Sequence, residues 1–266
     1  MKAMDTPIIK YPRTPHIEGS RLQPGDEDLS QVPFDCLISR HVVVEEKIDG
    51  ANTAISFNEN GQLLLQNRGH YLYGGWKERH YNLFKQWTQI HAVEFYEVLG
   101  SRYIMYGEWM YAKHTIFYDA LPSYFMEFDI LDRQEGRFLD THCRHQLIES
   151  LPISSVPVLA EGKFKKKEAL LNLLGSSHYI TPQHIEKLRA YAEANGLDPD
   201  RQCRETDPSV LMEGLYIKIE ENGEVVDRMK FVRRGFSQCA NESQTDWQQR
   251  PIVPNQLSVP ISEMLR

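Results

Sequence analysis

The sequence predicts an α+β fold built on antiparallel sheets, from three observations. Two Asn-Gly turns, Asn60-Gly61 and Asn222-Gly223, each lie between short runs rich in β-branched and apolar residues, the pattern of a tight hairpin. Between these β-rich halves, from Thr141 to Asn195, the apolar spacing turns helical. The chain has 266 residues, 41% hydrophobic and 25% charged, enough for one large domain with a sizeable core.

The elements follow in order. Residues 1–40 are rich in Pro, Gly and charge, as in Tyr11-Pro12-Arg13-Thr14-Pro15-His16 and Pro24-Gly25-Asp26-Glu27-Asp28, and read as an irregular arm packed on the core. Val42-Val43-Val44-Glu45-Glu46 reads as a strand that presents Lys47 at its end, with Asp49-Gly50 making the bend. Thr53–Phe57 and Gln62–Gln66 form the first hairpin, and Arg68-Gly69 lies just past it. A helical stretch over Trp76–Leu99 puts Leu83, Trp87, Ile90 and Val93 on one face. Strands over 103–109 and 124–131 follow, separated by a loop from Ala112 to Pro122.

A helical insertion over about 141–210 comes next, clearest at Glu168–Leu174 and Pro182–Ala194. The second hairpin spans Gly214–Glu220 and Val225–Val232. Strand alternation sets Lys218 opposite Leu215, Ile217 and Ile219 and puts Arg228 and Lys230 on one face, so three cations can converge on one anion. Residues 41–235 thus form the main domain. The polar tail 236–266, with Pro251, Pro254 and Pro260, is expected to pack as an extended strap or a short helix.

Composition excludes several function classes. No apolar run approaches the ~20 residues of a membrane span, and the N-terminus lacks a signal-like stretch, so a cytoplasmic protein without membrane contact is expected. Cys36, Cys143, Cys203 and Cys239 are scattered and read as reduced thiols. His142, Cys143 and His145 are too crowded for a zinc site and lack a fourth ligand. The net charge of −7 argues against coating nucleic acid through bulk charge, though local clusters remain at Lys163–Lys167 and at Arg228, Lys230, Arg233 and Arg234. The lysine cluster reads as a solvated helix face.

The chemistry centres on Lys47-Ile48-Asp49-Gly50. A lysine at a strand end can attack a phosphate once it has lost its proton, which requires burial or neighbouring cations. Alone, the motif reads first as a surface lysine before a turn. Its companions, in order, are Arg68-Gly69, Gly107-Glu108, Phe128-Asp129, Glu213-Gly214 with Lys218, and Arg228-x-Lys230. This ordered set, over about residues 42–235, resembles the covalent nucleotidyltransferase superfamily of ATP-dependent DNA ligases, RNA ligases and mRNA capping guanylyltransferases. Asn52, Gly107-Glu108-Trp109 and Phe128-Asp129 before a helical insertion are most similar to the RNA ligase 2-like group of ATP-dependent RNA ligases. The opening Tyr11–His16 and the closing Arg250–Leu257 also resemble segments of compact bacterial and phage RNA ligases.

The resemblance implies an ATP-grasp-like ligase domain and a reaction in three steps. Lys47 attacks the α-phosphate of ATP and becomes lysyl-AMP; AMP passes to a 5′-phosphate on RNA; a 3′-hydroxyl then displaces AMP and seals the strand, in RNA repair. It further implies that Lys218 and Lys230 grip the α-phosphate, that Glu108 and Glu213 hold Mg²⁺ (or Mn²⁺), and that Phe128 stacks on adenine. Arg68 and Glu108 would bind ribose, Glu46 lies where the purine edge is read, and Asn52 matches a position linked to sealing. One departure is Arg228, where the family usually has lysine; arginine keeps the charge but cannot shuttle a proton.

The partner expected is RNA with 3′-hydroxyl and 5′-phosphate ends, healed where necessary by a separate kinase or phosphatase. A DNA ligase or capping enzyme would commonly carry a five-stranded OB-fold, for which about 30 residues after Gly235 are too few. A non-catalytic nucleotide- or RNA-binding module would be marked by loss of Lys47, Glu108 or Glu213, all of which are present.

Overall fold

A computed structural model describes residues 6–22, 26, 31–236 and 251–265. Two six-stranded sheets form the body. The first runs β10 (Val158–Gly162), β3 (Val42–Lys47), β11 (Gly214–Glu221), β12 (Glu224–Val232), β1 (His16–Ile17), β2 (Gln31–Val32). The second runs β5 (Leu63–Asn67), β4 (Ala51–Phe57), β6 (Tyr103–Trp109), β7 (Phe125–Asp132), β8 (Arg137–Phe138), with β9 (Ser154–Ser155) also on β7. Pairing from β3 to β12 and from β5 to β8 is antiparallel, and β1, β2 and β9 join in parallel. With seven α-helices beside them among the described residues, this is the α+β architecture that the hairpin signals predict.

Both hairpins form at their Asn-Gly turns. Asn222 and Gly223 have φ of 55° and 84°, the paired positive values that a two-residue turn matching strand twist requires. At the first turn Gly61 has φ 72°, while Asn58 Oδ1 accepts from the N–H groups of Asn60 and Gln62.

Alternation then sorts the first sheet into two faces. Val42 and Val44, with Leu215, Ile217, Ile219, Met229 and Phe231, pack outward onto Phe34 and Leu37 of the arm and Leu170 of α4 (Lys167–Leu171). The opposite face carries Glu45, Lys47, Tyr216, Lys218, Arg228 and Lys230 toward the second sheet, as the register Lys218↔Arg228 and Tyr216↔Lys230 dictates. The second sheet buries Ile55, Phe57, Met105 and Ile130 with the helices after β5, and turns Ala54 and Tyr106 inward. The charged inner faces therefore meet, and the site lies between them.

Several expectations need correction. The stretch 76–99 is a 3-10 helix (Trp76–Tyr81) and two helices, α1 (Asn82–Ile90) and α2 (Ala92–Leu99), broken at His91. The buried stripe runs Phe84, Trp87, Thr88, His91, Phe95 and Leu99, continuous in helical spacing across His91 but offset from the expected face, so Ile90 and Val93 are exposed. The arm is more regular than its composition suggests, because β1 and β2 extend the first sheet. The insertion holds α3 (Thr141–Leu147), α4, α5 (His184–Ala194) and α6 (Pro199–Arg204), but also β10, which pairs with β3. In the tail, residues 251–260 run extended and end in α7 (Ile261–Met264). Buried Asn255 ties that strap down: its Oδ1 accepts from the Tyr118 N–H at 2.9 Å and its Nδ2 donates to the Met110 carbonyl at 2.6 Å. Cys36, Cys143 and Cys203 are free thiols, and Cys239 lies outside the described residues. Among the described residues no helix is long and apolar enough to cross a membrane, and no group of three or more His, Cys, Asp or Glu is placed to hold a metal ion.

Candidate active site

Lys47 ends β3 at the mouth of a cleft between the sheets, and its Nζ lies 2.6 Å from Glu213 Oε2, just before β11. The register Gly214↔Lys47 makes that meeting unavoidable. Asp49 is fixed beneath, accepting from the N–H groups of Thr115 (2.8 Å) and Ile116 (3.2 Å) while its own N–H donates to the Tyr118 hydroxyl. Gly50 then passes so close to β6 that a Cβ would stand 2.9 Å from Glu108 Cγ and 2.6 Å from Met110 Sδ. That close approach carries Glu108 to the lysine, and the register Asn52↔Glu108 sets Asn52 beside it.

The electrostatics of this group differ from the expectation of a depressed lysine pKa. Burial works to lower the Lys47 pKa, but the Glu213, Glu108 and Asp49 carboxylates outweigh it and raise it above the ordinary lysine value. Burial pushes Glu213 up to about 7 and Glu108 up to about 8, in both cases reinforced by the other acids and opposed by Lys47. These carboxylates hold Lys47 in its protonated form.

A pH dependence follows. Unfolded, both carboxyls titrate near 4.5; folded, they keep protons to about 7 and 8, so between about pH 4.5 and pH 8 the native state binds more protons and stability falls as pH rises. Lys47 stays charged across this window and adds nothing to the slope. In chelator, unfolding free energy is expected to drop by about 2–3 kcal/mol between about pH 6.5 and 8.5. Glu108→Gln should flatten that slope, which denaturant titration at each pH would measure.

The remaining predicted residues divide into two groups. Glu46, Asn52, Arg68, Phe128 and Lys230 line the cleft with Lys47 and Glu108; its space is about 700 Å³ counting the open mouth. The Glu46 carboxylate is already engaged, however, accepting from the Ser177 hydroxyl and from the His178 N–H at 3.1 Å. Lys230 is paired with Asp26 of the arm, and Asp26 also meets His16 Nε2 at 3.1 Å.

Lys218 and Arg228 are not at the cleft surface. Lys218 is fully buried between Glu45 (3.0 Å) and Asp129 (3.3 Å) and donates to the Phe128 carbonyl. The Arg228 guanidinium sits 3.6 Å from Asp129 and 4.1 Å from the centre of the Phe138 ring. The convergence of three cations on one anion is thus replaced by two cations on Asp129 and a third on Asp26. The physical reason is that buried charges must find protein partners where no ligand reaches them.

Three contributors escaped the sequence reading. Glu45, two residues before Lys47 on the same strand face, was accessible through alternation alone. Tyr11 reaches in from the arm to donate to Asp129 at 2.5 Å, with its ring 5.0 Å from Phe128 and edge-on, and no local pattern marks it. Asp26 is equally silent, because its partner Lys230 is 204 residues away.

Comparison with known proteins places this site in a family. Residues 40–232 match the RNA ligase family. No curated protein matches the chain. Among solved structures, an aspartate mutant of Naegleria gruberi RNA ligase without ligand aligns at 15% identity and TM-score 0.52, covering 85% of this chain and 55% of that one. A lysine mutant of the same enzyme with AMP and manganese gives 15% and 0.52, covering 85% and 56%. This chain thus spans little more than half the length of the Naegleria protein, and the likeness extends to the fold. The matched residues include Lys47, Glu108 and Glu213, and the chain belongs to the RNA ligase family.

Proposed function

We propose that the chain is an ATP-dependent RNA ligase that joins 3′-hydroxyl and 5′-phosphate ends through lysyl-AMP and an adenylylated 5′ end. The observation that carries this reading is the Lys47–Glu213 contact of 2.6 Å in a cleft that Glu108 and Phe128 also line. Family membership supports it, as do the AMP and manganese in the related Naegleria structure.

Lys47 Nζ forms the new N–P bond as pyrophosphate leaves, so its proton must first go. Glu213, Glu108 and Asp49 gather around the single Lys47 ammonium, and carboxyls so placed suit a divalent cation retaining several of its waters. Bound there, Mg²⁺ or Mn²⁺ would supply the positive charge that makes a neutral amine accessible. Phe128 offers the adenine a ring face, and Arg68 and Glu108 flank the ribose. Lys230 is the cation left at the cleft surface to meet the α-phosphate, exchanging Asp26 for it. Lys218 and Arg228 act behind the wall: by holding Asp129 and the Phe128 carbonyl they fix the stacking ring, a positioning role to which Arg228 is suited despite having no proton to give.

The test is incubation with Mg²⁺ and ATP labelled at the α-phosphate. Acid-labile label on the protein is expected, with little from GTP; preference for GTP would favour capping chemistry instead. Sealing should then require RNA on the 3′-hydroxyl side of a nick and a 5′-phosphate. Equal sealing of all-DNA nicks, or efficient joining of 2′,3′-cyclic phosphate ends, would contradict the assignment.

A further inference from the structure

The loop from Asn67 to Tyr81 has features that the nucleotide cleft does not use. It carries Trp76 and Tyr73, 75% and 68% exposed, the two most exposed aromatic side chains among the described residues. Exposed apolar surface rimmed by polar groups, when it is contiguous, marks a contact surface. The loop is also locally basic within a chain of net charge −7: Arg68 and Lys77 are exposed, and its single acid, Glu78, is buried and paired with Lys85 at 2.5 Å.

We propose that this loop is a docking platform for a single-stranded segment of the substrate RNA, whose bases stack on Trp76 and Tyr73 while Lys77 meets its phosphates. The proposal rests on the RNA ligase reading above and adds a site to it.

The platform is built rather than incidental. The Arg79 guanidinium lies 4.5 Å from the centre of the Trp76 ring, fixing the indole from one side while leaving it mostly open. Glu78 Oε2 accepts from the Gly74 N–H at 2.7 Å, tying the loop tip to the base of the 3-10 helix. Gly74 and Gly75, with φ of 116° and 112°, have nothing within 4 Å of where a side chain would start, so a strand has room to cross. A groove lined by Asn67, His70, Trp76, Lys77 and Tyr81 runs inward from there. At its inner end the Tyr81 hydroxyl, whose pKa burial raises most, is near enough for the charge of Glu108 to raise it further. Arg68 lines the nucleotide cleft itself, so the two surfaces are continuous. Cations interleaved with open aromatic faces suit a polynucleotide of varied sequence, because every base offers a face to stack.

The test uses the full chain and a fluorescently labelled single-stranded RNA of about 12 nucleotides at fixed salt. Trp76→Ala is expected to weaken binding about tenfold and Tyr73→Ala by several-fold, with Trp76→Phe staying within about twofold of wild type. Label taken from ATP should be unchanged in all three, since neither Trp76 nor Tyr73 lines the nucleotide cleft. Equal affinity of Trp76→Ala and wild type, or a loss that Trp76→Phe does not restore, overturns the proposal. Failure of wild type to take label from ATP would instead tell against the ligase reading, and the RNA titration would still decide the platform.

Discussion

Lys47→Ala is expected to abolish covalent labelling from ATP, by at least about 10³-fold, while leaving the fold intact. The side chain is 22% exposed and its ion-pair partner is Glu213, so truncation removes the proposed nucleophile without opening a core cavity. Loss of the lysine leaves Glu213 beside Glu108 without a cation, and the carboxyl answers by keeping its proton, as its raised pKa already favours. Lys47→Arg sharpens the experiment. Arginine keeps the charge and the ion pair but cannot lose a proton at working pH, so it should label no better than alanine. If arginine labels appreciably, the nucleophile is elsewhere. A third arm separates the steps: RNA already carrying a 5′-adenylate bypasses lysyl-AMP, so Lys47→Ala should still seal it to a measurable extent, whereas it should fail completely with 5′-phosphate RNA and ATP.

How much of this was legible in the sequence depends on how local each signal is. The hairpins could be read because Asn-Gly imposes its own backbone geometry, and Lys47 was placed at a strand end because three valines precede it. The partnership of Lys47, Glu108 and Glu213 needed the ordered motif set, since nothing local brings residues 47, 108 and 213 together. Charge pairing was the part least visible. Alternation correctly turned Lys218 and Arg228 inward, but whether an inward cation meets a ligand or a carboxylate depends on β7, which belongs to the other sheet. The face of α1 differs from expectation for a related reason: Leu83, Trp87, Ile90 and Phe84, Trp87, His91 both fit a helical period, and which stripe is buried depends on the sheet it meets.

The same charged interior sets the second large effect. Arg144→Ala is expected to destabilise the protein by about 3–5 kcal/mol, seen as a lower denaturant midpoint with an unchanged slope. Arg144 rises from α3, whose start is capped by the Asp140 carboxylate on the Cys143 N–H at 2.7 Å. It enters fully buried between the sheets, where its two terminal nitrogens reach Glu127 on β7, at 2.6 Å, and Glu45 on β3. One side chain thus fastens the insertion to both sheets. Three acids, Glu45, Glu127 and Asp129, face three cations, Arg144, Lys218 and Arg228, so the buried charges balance. Removing Arg144 leaves an excess of negative charge away from water, and that imbalance, more than the lost contacts, determines the cost. Burial already raises the Glu45 pKa despite Arg144 and Lys218, so without the arginine this carboxyl should take up a proton at higher pH and the penalty should shrink as pH falls. Arg144→Lys restores the charge but not the fork that spans two carboxylates, and an intermediate loss is expected. A penalty of equal size at about pH 5 and pH 8 would mean that packing, not charge, is what Arg144 contributes.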